Sequence, residues 1–249
     1  MTVDVIVAAR RRTRRRVLIV VGVAVGVLVL LVYPAGLYVN SRLEASATDP
    51  SPSAPAAVVP WPAGGGVVVY PADLAWTTVA GIALPTSATA GPRQTQDGLA
   101  AGFSHTPAGA VLAAVHLLVR TSPQVGPAVF GPPLRDQVVG TDADAMRAVV
   151  AEDYRQLAGD TATGPVGQLS ATLAGAALAS YTDQAAQLDL LTAAVDATGT
   201  ARYAATSIAM AWTGTDWALV APPQGRWDTS VRPVTAQQAT AYPPLTQGR

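Results

Sequence analysis

The sequence predicts an α+β domain, with helices packed on a curved antiparallel sheet, preceded by an N-terminal transmembrane helix. Three observations carry this prediction. An apolar run without charge occupies residues 17–39, helical periodicity recurs between residues 106 and 159, and turn-forming pairs separate long strand-like stretches from residue 175 onward. Two helical signals followed by strand signals give helices layered on one sheet, which is an α+β arrangement.

The apolar run directly follows six arginines between Arg10 and Arg16. Its 23 residues, at a rise of about 1.5 Å each, span a hydrocarbon core of ~30 Å. Secretory signals have shorter apolar regions of ~7–15 residues, so we expect an uncleaved, single-pass anchor in the cell membrane at residues 17–39. The positive-inside rule then keeps the basic tail, residues 1–16, in the cytoplasm and places residues 40–249 outside the cell.

Two other interpretations of this region stay open. The stretch TRRRVL resembles a twin-arginine export signal, and Ala45-Ser46-Ala47 fits an A-x-A cleavage pattern, which would give a protein cleaved near Ala47. The arginines also suit a nucleic-acid-binding arm, but their position against an apolar run favours a topological role and contact with the lipid bilayer. Beyond residue 40 there are ten arginines and fifteen acidic residues, so direct nucleic-acid binding by the body is not expected.

The part outside the membrane divides into three segments. Residues 40–70 are rich in proline and glycine, which indicates a semi-rigid spacer. We expect residues 71–228 to form the extracytoplasmic α+β domain. The polar residues 229–249 contain a proline pair and are expected to form a flexible C-terminal tail.

Helix signals occur twice in the domain. Thr106 suits an N-cap, with Pro107 at the first helical position, and apolar residues recur at helical spacing until Pro123. A second helix begins after Thr141 or Asp142 and ends at Gly159. Its apolar face is expected to comprise Met146, Val149, Val150, Tyr154 and Leu157. The connection between the two helices, residues 119–140, contains four prolines and is expected to be irregular, used for packing or for contacts.

Strand signals follow the helices. Turn pairs at Thr182-Asp183, Thr198-Gly199 and Gly214-Thr215 separate runs long enough for antiparallel strands. The segment 187–195 fits a strand better than a helix, although its leucine spacing leaves a helix open. Trp212 and Trp217 are expected to flank a tight hairpin turn. Before the first helix, the stretch beginning LAWTTVAGIALP predicts an early strand or an edge segment.

The composition excludes several chemistries. The chain has no cysteine and no lysine, so disulfides, thiolate metal sites, Walker-type phosphate loops and Schiff bases are impossible. His105 and His116 lie eleven residues apart, ~16 Å along a helix, too far to hold one ion. Ser104 in GFSHT lacks the second glycine of a nucleophile elbow and is expected to be a turn residue.

The acidic residues are not expected to bind a metal. They lack the alternating spacing and the glycine of a calcium loop, so we expect a helix cap and a solvated face. These residues are Asp142, Asp144, Glu152 and Asp153. The sequence therefore predicts no catalytic, cofactor-binding or metal-binding residue, no cofactor and no enzymatic activity.

Three stretches carry a resemblance to a known group of proteins. LPTSATAGP, GFSHTPAGAVLAAVHLLVRTSPQVGPAVFGP and WTGTDWALV, within residues 75–225, resemble actinobacterial membrane-anchored proteins of unknown function that are found with integrative conjugative elements. The resemblance implies a nuclear-transport-factor-2-like ectodomain, similar to the bitopic scaffold subunits of type IV secretion machines. The alanine-rich sheet departs from the more strongly defined sheet of those subunits.

The resemblance implies a function for the chain. The expected function is a non-enzymatic scaffold or assembly component of a conjugative DNA-transfer apparatus, in contact with other envelope or secretion-machine proteins, with a homo-oligomer left open. The alternative function is a membrane-anchored extracytoplasmic module that binds a lipid or small apolar ligand in a cavity of the sheet.

Overall fold

The computed structural model describes residue 68 and the ranges 70–159, 164–166, 171–196 and 198–245. Within these residues, no helix has the length and apolar character needed to span a bilayer. The predicted anchor, the basic tail, the cleavage pattern near Ala47 and nearly all of the spacer lie outside the described residues.

Two short antiparallel hairpins open the described chain. β1 (Ala75–Val79) pairs with β2 (Ile82–Thr86), and β3 (Gln94–Gln96) pairs with β4 (Leu99–Ala101). Both hairpins turn through two residues with positive φ, Ala80-Gly81 and Asp97-Gly98. Two consecutive positive φ values give the turn whose twist matches that of the flanking strands. The early strand that the sequence predicts is therefore confirmed, as a hairpin separate from the long sheet.

Helix α1 (Pro107–Arg120) is the centre of the fold. The Thr106 side chain accepts a hydrogen bond from the Gly109 N–H at 3.1 Å, so the predicted N-cap is confirmed. Every residue from Gly109 to Arg120 is buried. The helix contacts the strands of the long sheet between residues 172 and 220, and one strand of each hairpin, β2 and β4, which explains why even its polar residues are buried.

The connection after α1 is more regular than the sequence indicated. A short 3₁₀ helix at Pro123–Val125 leads into α2 (Pro127–Asp136), which contains Pro132 and Pro133. Proline lacks an N–H, so these two leave the carbonyls of Ala128 and Val129 without their usual helical donors. Both carbonyls point at Gly98 of the β3–β4 turn, where a Cβ atom would lie 2.8 Å from each. The prediction of an irregular connection was wrong, because Pro127 starts a helix. The two later prolines are tolerated in α2 where the β3–β4 turn approaches the helix.

Helix α3 (Ala143–Ala158) ends at Gly159, which has φ +75°, as the sequence predicted. Met146, Val150 and Tyr154 are buried, whereas Val149 is only partly buried. Leu157 does not belong to the buried face. It is 38% exposed because it lies in the last turn, next to the helix end.

The remaining strands form one six-stranded sheet. β6 (Thr172–Tyr181), β7 (Ala185–Val195) and β8 (Ala201–Trp212) are antiparallel neighbours, and β9 (Trp217–Val220) pairs with the end of β8. The strand prediction for 187–195 is confirmed. β6 carries two register irregularities of the bulge type, which bend a strand locally.

Two short strands complete this sheet at β9 and β8. β5 (Val138–Val139) pairs with β9 in parallel, and the strand order is β5-β9-β8-β7-β6. β10 (Val231–Val234) pairs with the first half of β8. The architecture is thus mixed α+β, with a sheet that is antiparallel except for one pair.

The predicted flexible tail, residues 229–249, packs against the sheet as far as it is described. After β10, Thr235 caps the short helix α4 (Ala236–Ala239) with a capping box, and Tyr242 and Leu245 are buried. The polar composition of this segment had suggested fraying. It is ordered on the sheet because a few residues, chiefly Arg232 and Tyr242, find partners there.

Candidate functional site

Three connections meet at one end of the long sheet. We call them the loop end: residues 102–106, which lead into α1, residues 182–184, which join β6 to β7, and residues 213–216, which join β8 to β9. Loops held by a rigid scaffold are where binding residues concentrate. This end is therefore the candidate functional surface of the domain.

Each hairpin turn at the loop end is closed by a threonine. The Thr213 hydroxyl donates to the Asp216 carbonyl at 2.9 Å and accepts the Asp216 N–H at 3.3 Å. The Thr182 hydroxyl likewise accepts the Ala185 N–H at 3.0 Å. The hydroxyl satisfies backbone groups that a turn leaves unpaired, so both turns are fixed by local sequence.

The Asp216 carboxylate ties the β8–β9 turn to the loop ahead of α1. One oxygen accepts the Gly102 N–H at 2.6 Å, and the other accepts the N–H groups of Phe103 at 3.2 Å and Trp217 at 2.9 Å. The Trp217 indole N–H donates to the Ser104 carbonyl at 3.0 Å. Hydrogen bonds to an ionised carboxylate are stronger than neutral ones, so the two connections form one unit.

Four rings form an aromatic platform on this unit. His105 is exposed and stacks on Trp212, with ring centroids 4.0 Å apart and planes 5° from parallel. Trp217 is 1% exposed, and its ring meets Trp212 edge to face at 5.4 Å and Tyr181 at 5.9 Å. The His105 Nε2 hydrogen bonds with the Asp183 carbonyl at 2.5 Å, so the platform also joins the β6–β7 turn to the other two connections.

The loop end carries two acidic side chains within its three connections. Asp183 and Asp216 lie there, and its three connections contain no arginine. Burial is the main cause that raises the pKa of Tyr181, and the negative charge of Asp183 is the second cause. The ion pairs of the described residues lie elsewhere: Arg135–Asp136, Arg147–Asp144, Arg155–Glu152, Arg202–Asp196 and Arg232–Asp189.

His116 lies in the interior. It is fully buried in α1, and its Nε2 hydrogen bonds with the Pro85 carbonyl at 2.9 Å, while Nδ1 has no partner in the described part of the chain. Burial lowers its pKa to about 4, so the imidazole is neutral and Nε2 is the donor. His116 therefore joins α1 to β2, and it does not come together with His105 in one site.

Arg120 and Gln137 fasten the second hairpin. The Arg120 Nη1 donates to the Gly98 carbonyl at 3.0 Å, and the Gln137 Nε2 donates to the Ala100 carbonyl at 2.6 Å. Both side chains are buried, and burial lowers the pKa of Arg120. Neither residue was a candidate from the sequence, although Arg120 is the one charged residue of α1 and stands at its end.

The acidic residues of α3 separate into different roles. Asp142 occupies the N-cap without a side-chain capping bond, and Asp144 and Glu152 pair with arginines of the same helix. Asp153 departs from the expected solvated face. It is 6% exposed, and one of its oxygens has no hydrogen-bond partner among the described residues. Burial is the main cause that raises the pKa of Asp153 to about 6, against the opposing charge of Arg226.

Ser104 lies in the loop before α1, as the sequence indicated, and its hydroxyl shares a hydrogen bond of 2.7 Å with Thr106. Neither histidine hydrogen bonds with a carboxylate or a hydroxyl among the described residues. Over the same part of the chain, no three histidine or acidic side chains converge so as to hold a metal ion.

A polar cluster that was not predicted from the sequence lies on the face of the long sheet away from α1. Asp189 of β7 is 6% exposed and accepts hydrogen bonds from the Ser207 hydroxyl at 2.6 Å and from Nη2 of Arg232. The same Nη2 donates to the Tyr242 hydroxyl at 2.8 Å. The signal was present, because Asp189 is the one charged residue of β7 and stands between two leucines. A carboxylate at such a position needs a partner, and Arg232 in the predicted tail supplies it.

Comparison with protein families gives one match. The model of a domain of unknown function, DUF8175, matches residues 41–241. No curated protein and no solved structure matches the chain.

Proposed function

The chain belongs to the DUF8175 family, and we propose that it is a membrane-anchored, non-enzymatic scaffold whose extracytoplasmic domain docks other envelope proteins of a conjugative, type IV secretion-like apparatus. The observation that carries this proposal is the aromatic platform at the loop end. Tryptophan and tyrosine are enriched among the residues that dominate binding at protein interfaces.

The platform is held in place before any partner arrives. Asp216 fixes two connections through three N–H groups, and His105 adds the third connection. Because ordering loops on binding costs affinity, a surface whose loops are already fastened suits docking. Its acidic residues favour a partner with basic side chains nearby.

The limits of the family match support the anchored topology. The match begins at residue 41, directly after the charge-free run 17–39. A domain that starts where an apolar segment ends is expected if the segment is an anchor. The apolar segment and its arginines support a single-pass protein of the cell membrane with its domain outside.

Two features of the fold agree with a nuclear-transport-factor-2-like ectodomain. The helices precede the long strands, and α1 packs on one face of a mostly antiparallel sheet. The ligand-binding alternative finds less support, because side chains of α1 and of the strands are buried together in one apolar cluster. We therefore prefer a scaffold to a lipid-binding module.

Site-specific crosslinking in cells tests the docking surface. A photo-reactive amino acid replaces Thr215 at the loop end, and a control places it at Gln96, an exposed residue of β3. We expect adducts from position 215 with proteins of the transfer apparatus or envelope, identified by mass spectrometry. We expect adducts to be lost in Trp212→Ser and absent from position 96. Equal adducts from both positions would contradict a specific docking surface.

Topology and activity need separate measurements. We expect the chain to sediment with membranes, to resist carbonate extraction and to be cut by protease added outside spheroplasts. We expect deletion of the gene to abolish conjugative transfer, and Trp212→Ser to reduce it at unchanged protein level. Intact chain in the soluble fraction would refute the anchor, and unaffected transfer after deletion would refute the assignment to conjugation.

A further inference from the structure

The outer edge of β6 is occupied by a segment of the same chain. The Ala176 N–H donates to the Pro243 carbonyl at 3.2 Å, and the Leu245 N–H donates to the Ala174 carbonyl at 3.2 Å. Gly175 and Pro244, between these bonds, form an antiparallel bridge. Residues 243–245 thus lie on the edge as one more antiparallel strand would, with two ladder hydrogen bonds.

Proline makes this self-pairing incomplete. In an antiparallel ladder, residue 243 would also return an N–H to the Ala176 carbonyl, but Pro243 has none. The Tyr70 hydroxyl supplies the missing donor and lies 3.3 Å from both the Ala176 and the Pro243 carbonyls. Burial raises the pKa of Tyr70 to about 12, so the hydroxyl keeps its proton. A side chain before β1 thus replaces a bond that the segment cannot make.

Residues 243–245 approach β6 closely but pair with it over only a few residues. A Cβ atom on Gly175 would lie 2.8 Å from the Pro243 carbonyl, so glycine at this position lets the segment approach. Pro244, which faces away from β6, offers no N–H to a further strand, and proline is one of the devices that stops edge-to-edge growth. The segment covers the edge of β6 without itself becoming a good edge.

We propose that the edge of β6 is a strand-addition site for an extended segment of a partner protein, and that residues 243–245 occupy this site until the partner replaces them. A partner strand with an ordinary residue in place of Pro243 makes one more ladder bond, to the Ala176 carbonyl. Main-chain hydrogen bonds supply the affinity in this mode of recognition. The occupant is an extended polypeptide without proline at that position, and the segment of this chain shows how it lies.

The test uses the full chain in detergent and a variant that ends at Tyr242. The variant opens the edge but keeps the buried Tyr242 ring. The probe is a fluorescent peptide that copies residues 241–249 with valine at positions 243 and 244. By anisotropy, we expect the peptide to bind the shortened chain at least about tenfold more tightly than the full chain, since it need not displace a tethered competitor.

Backbone methylation separates strand addition from other binding. An N-methyl group at position 245 removes the N–H that faces β6 and is expected to weaken binding about fivefold or more. The same group at position 244 faces away and is expected to leave binding nearly unchanged. Equal losses from both peptides, or no binding to a folded shortened chain, would overturn the proposal.

A full-length variant covers the case in which the shortened chain does not fold. In Tyr70→Phe/Leu245→Ser, the segment loses the substitute donor and its buried leucine. We expect faster hydrogen exchange at Ala176 and a gain of peptide binding. Unchanged exchange and no binding would count against the proposal. Because these measurements use purified chain and a synthetic peptide, they do not depend on the proposed role in conjugation.

Discussion

The two faces of the long sheet are closed by different means. On the inner face, α1 buries a continuous apolar surface in which Leu112, Leu117 and Val115 are fully buried. On the outer face, Tyr242 of the C-terminal segment packs in a much smaller apolar cluster with Ala177, Leu191 and Ala205. The Arg232–Asp189 ion pair lies on the same face.

The two faces therefore depend on different interactions, the inner face on packing of α1 and the outer face on packing of the C-terminal segment. Apolar burial is proportional to the area removed from water and does not depend on one partner. The outer closure depends on particular groups, because Asp189 is buried and a buried charge must be paired. The inner face is therefore expected to tolerate neutral exchanges of similar size, whereas the outer face is expected to respond to single polar substitutions.

The largest effect is expected from the inner face. Leu112→Ala removes a fully buried side chain from α1 and is expected to lower the free energy of unfolding by about 3 kcal/mol, through lost burial and the cavity left behind. Leu157→Ala on α3, where the leucine is 38% exposed, is the matched control and is expected to cost well under half as much. Urea unfolding followed by tryptophan fluorescence measures both. Equal losses would show that α1 does not fill the inner face.

The outer face is probed by a pair of arginines. Arg232 and Arg202 have similar side-chain exposure, 46% and 49%, but their partners Asp189 and Asp196 are 8% and 19% exposed. Arg232→Gln leaves Asp189 buried without its cation and is expected to cost about 2 kcal/mol. Arg202→Gln is expected to cost less than about 1 kcal/mol. If the two variants lose the same stability, the outer closure does not depend on the buried carboxylate.

A second buried carboxylate provides the reverse test. The pKa of Asp153 is raised from 3.8 to about 6, so the folded chain holds this proton more tightly than the unfolded chain. Its favourable contribution is present below about pH 4 and is lost as the pH rises through about 6. Asp153→Asn avoids burying the charge and is expected to raise the free energy of unfolding by about 2 kcal/mol at pH 8, with no gain at pH 4.

The control for this variant lies on the same helix. Asp144 is 94% exposed, and Asp144→Asn is expected to change stability by less than about 0.5 kcal/mol at either pH. Denaturation of both variants between about pH 4 and pH 8 measures their free energies of unfolding and tests this pH dependence. A gain in Asp153→Asn that does not depend on pH would mean that the charge of Asp153 is not what costs stability.

Sequence patterns predicted the inner layer because it follows regular periods. Thr106 and Pro107 fixed the start of α1, Gly159 the end of α3, and the turn pairs separated β6, β7 and β8. The C-terminal segment has no such period. Its order depends on Arg232 meeting Asp189 across 43 residues of sequence, a contact that local pattern does not reveal.

The loop end was predictable only in part. The pairing of Trp212 with Trp217 followed from the hairpin, and Ser104 was placed correctly ahead of α1. The stacking of His105 on Trp212 joins residues more than a hundred positions apart. Asp153 was assigned to a solvated face because charge usually is solvated, and only the packing around α3 shows otherwise.

The smallest expected effect concerns the edge of β6, where the inner and outer closures meet. Tyr70→Phe keeps the ring but removes the hydroxyl between the Ala176 and Pro243 carbonyls. One hydrogen bond contributes about 1 kcal/mol, and we expect a loss of that size. Tyr203→Phe, on the outer face, is the control and is expected to change stability less.

The loss in Tyr70→Phe is expected to shrink in the variant that ends at Tyr242, because Pro243 is then absent and one of the two carbonyls is gone. If the loss is the same in both backgrounds, Tyr70 holds β6 alone and does not act on residues 243–245.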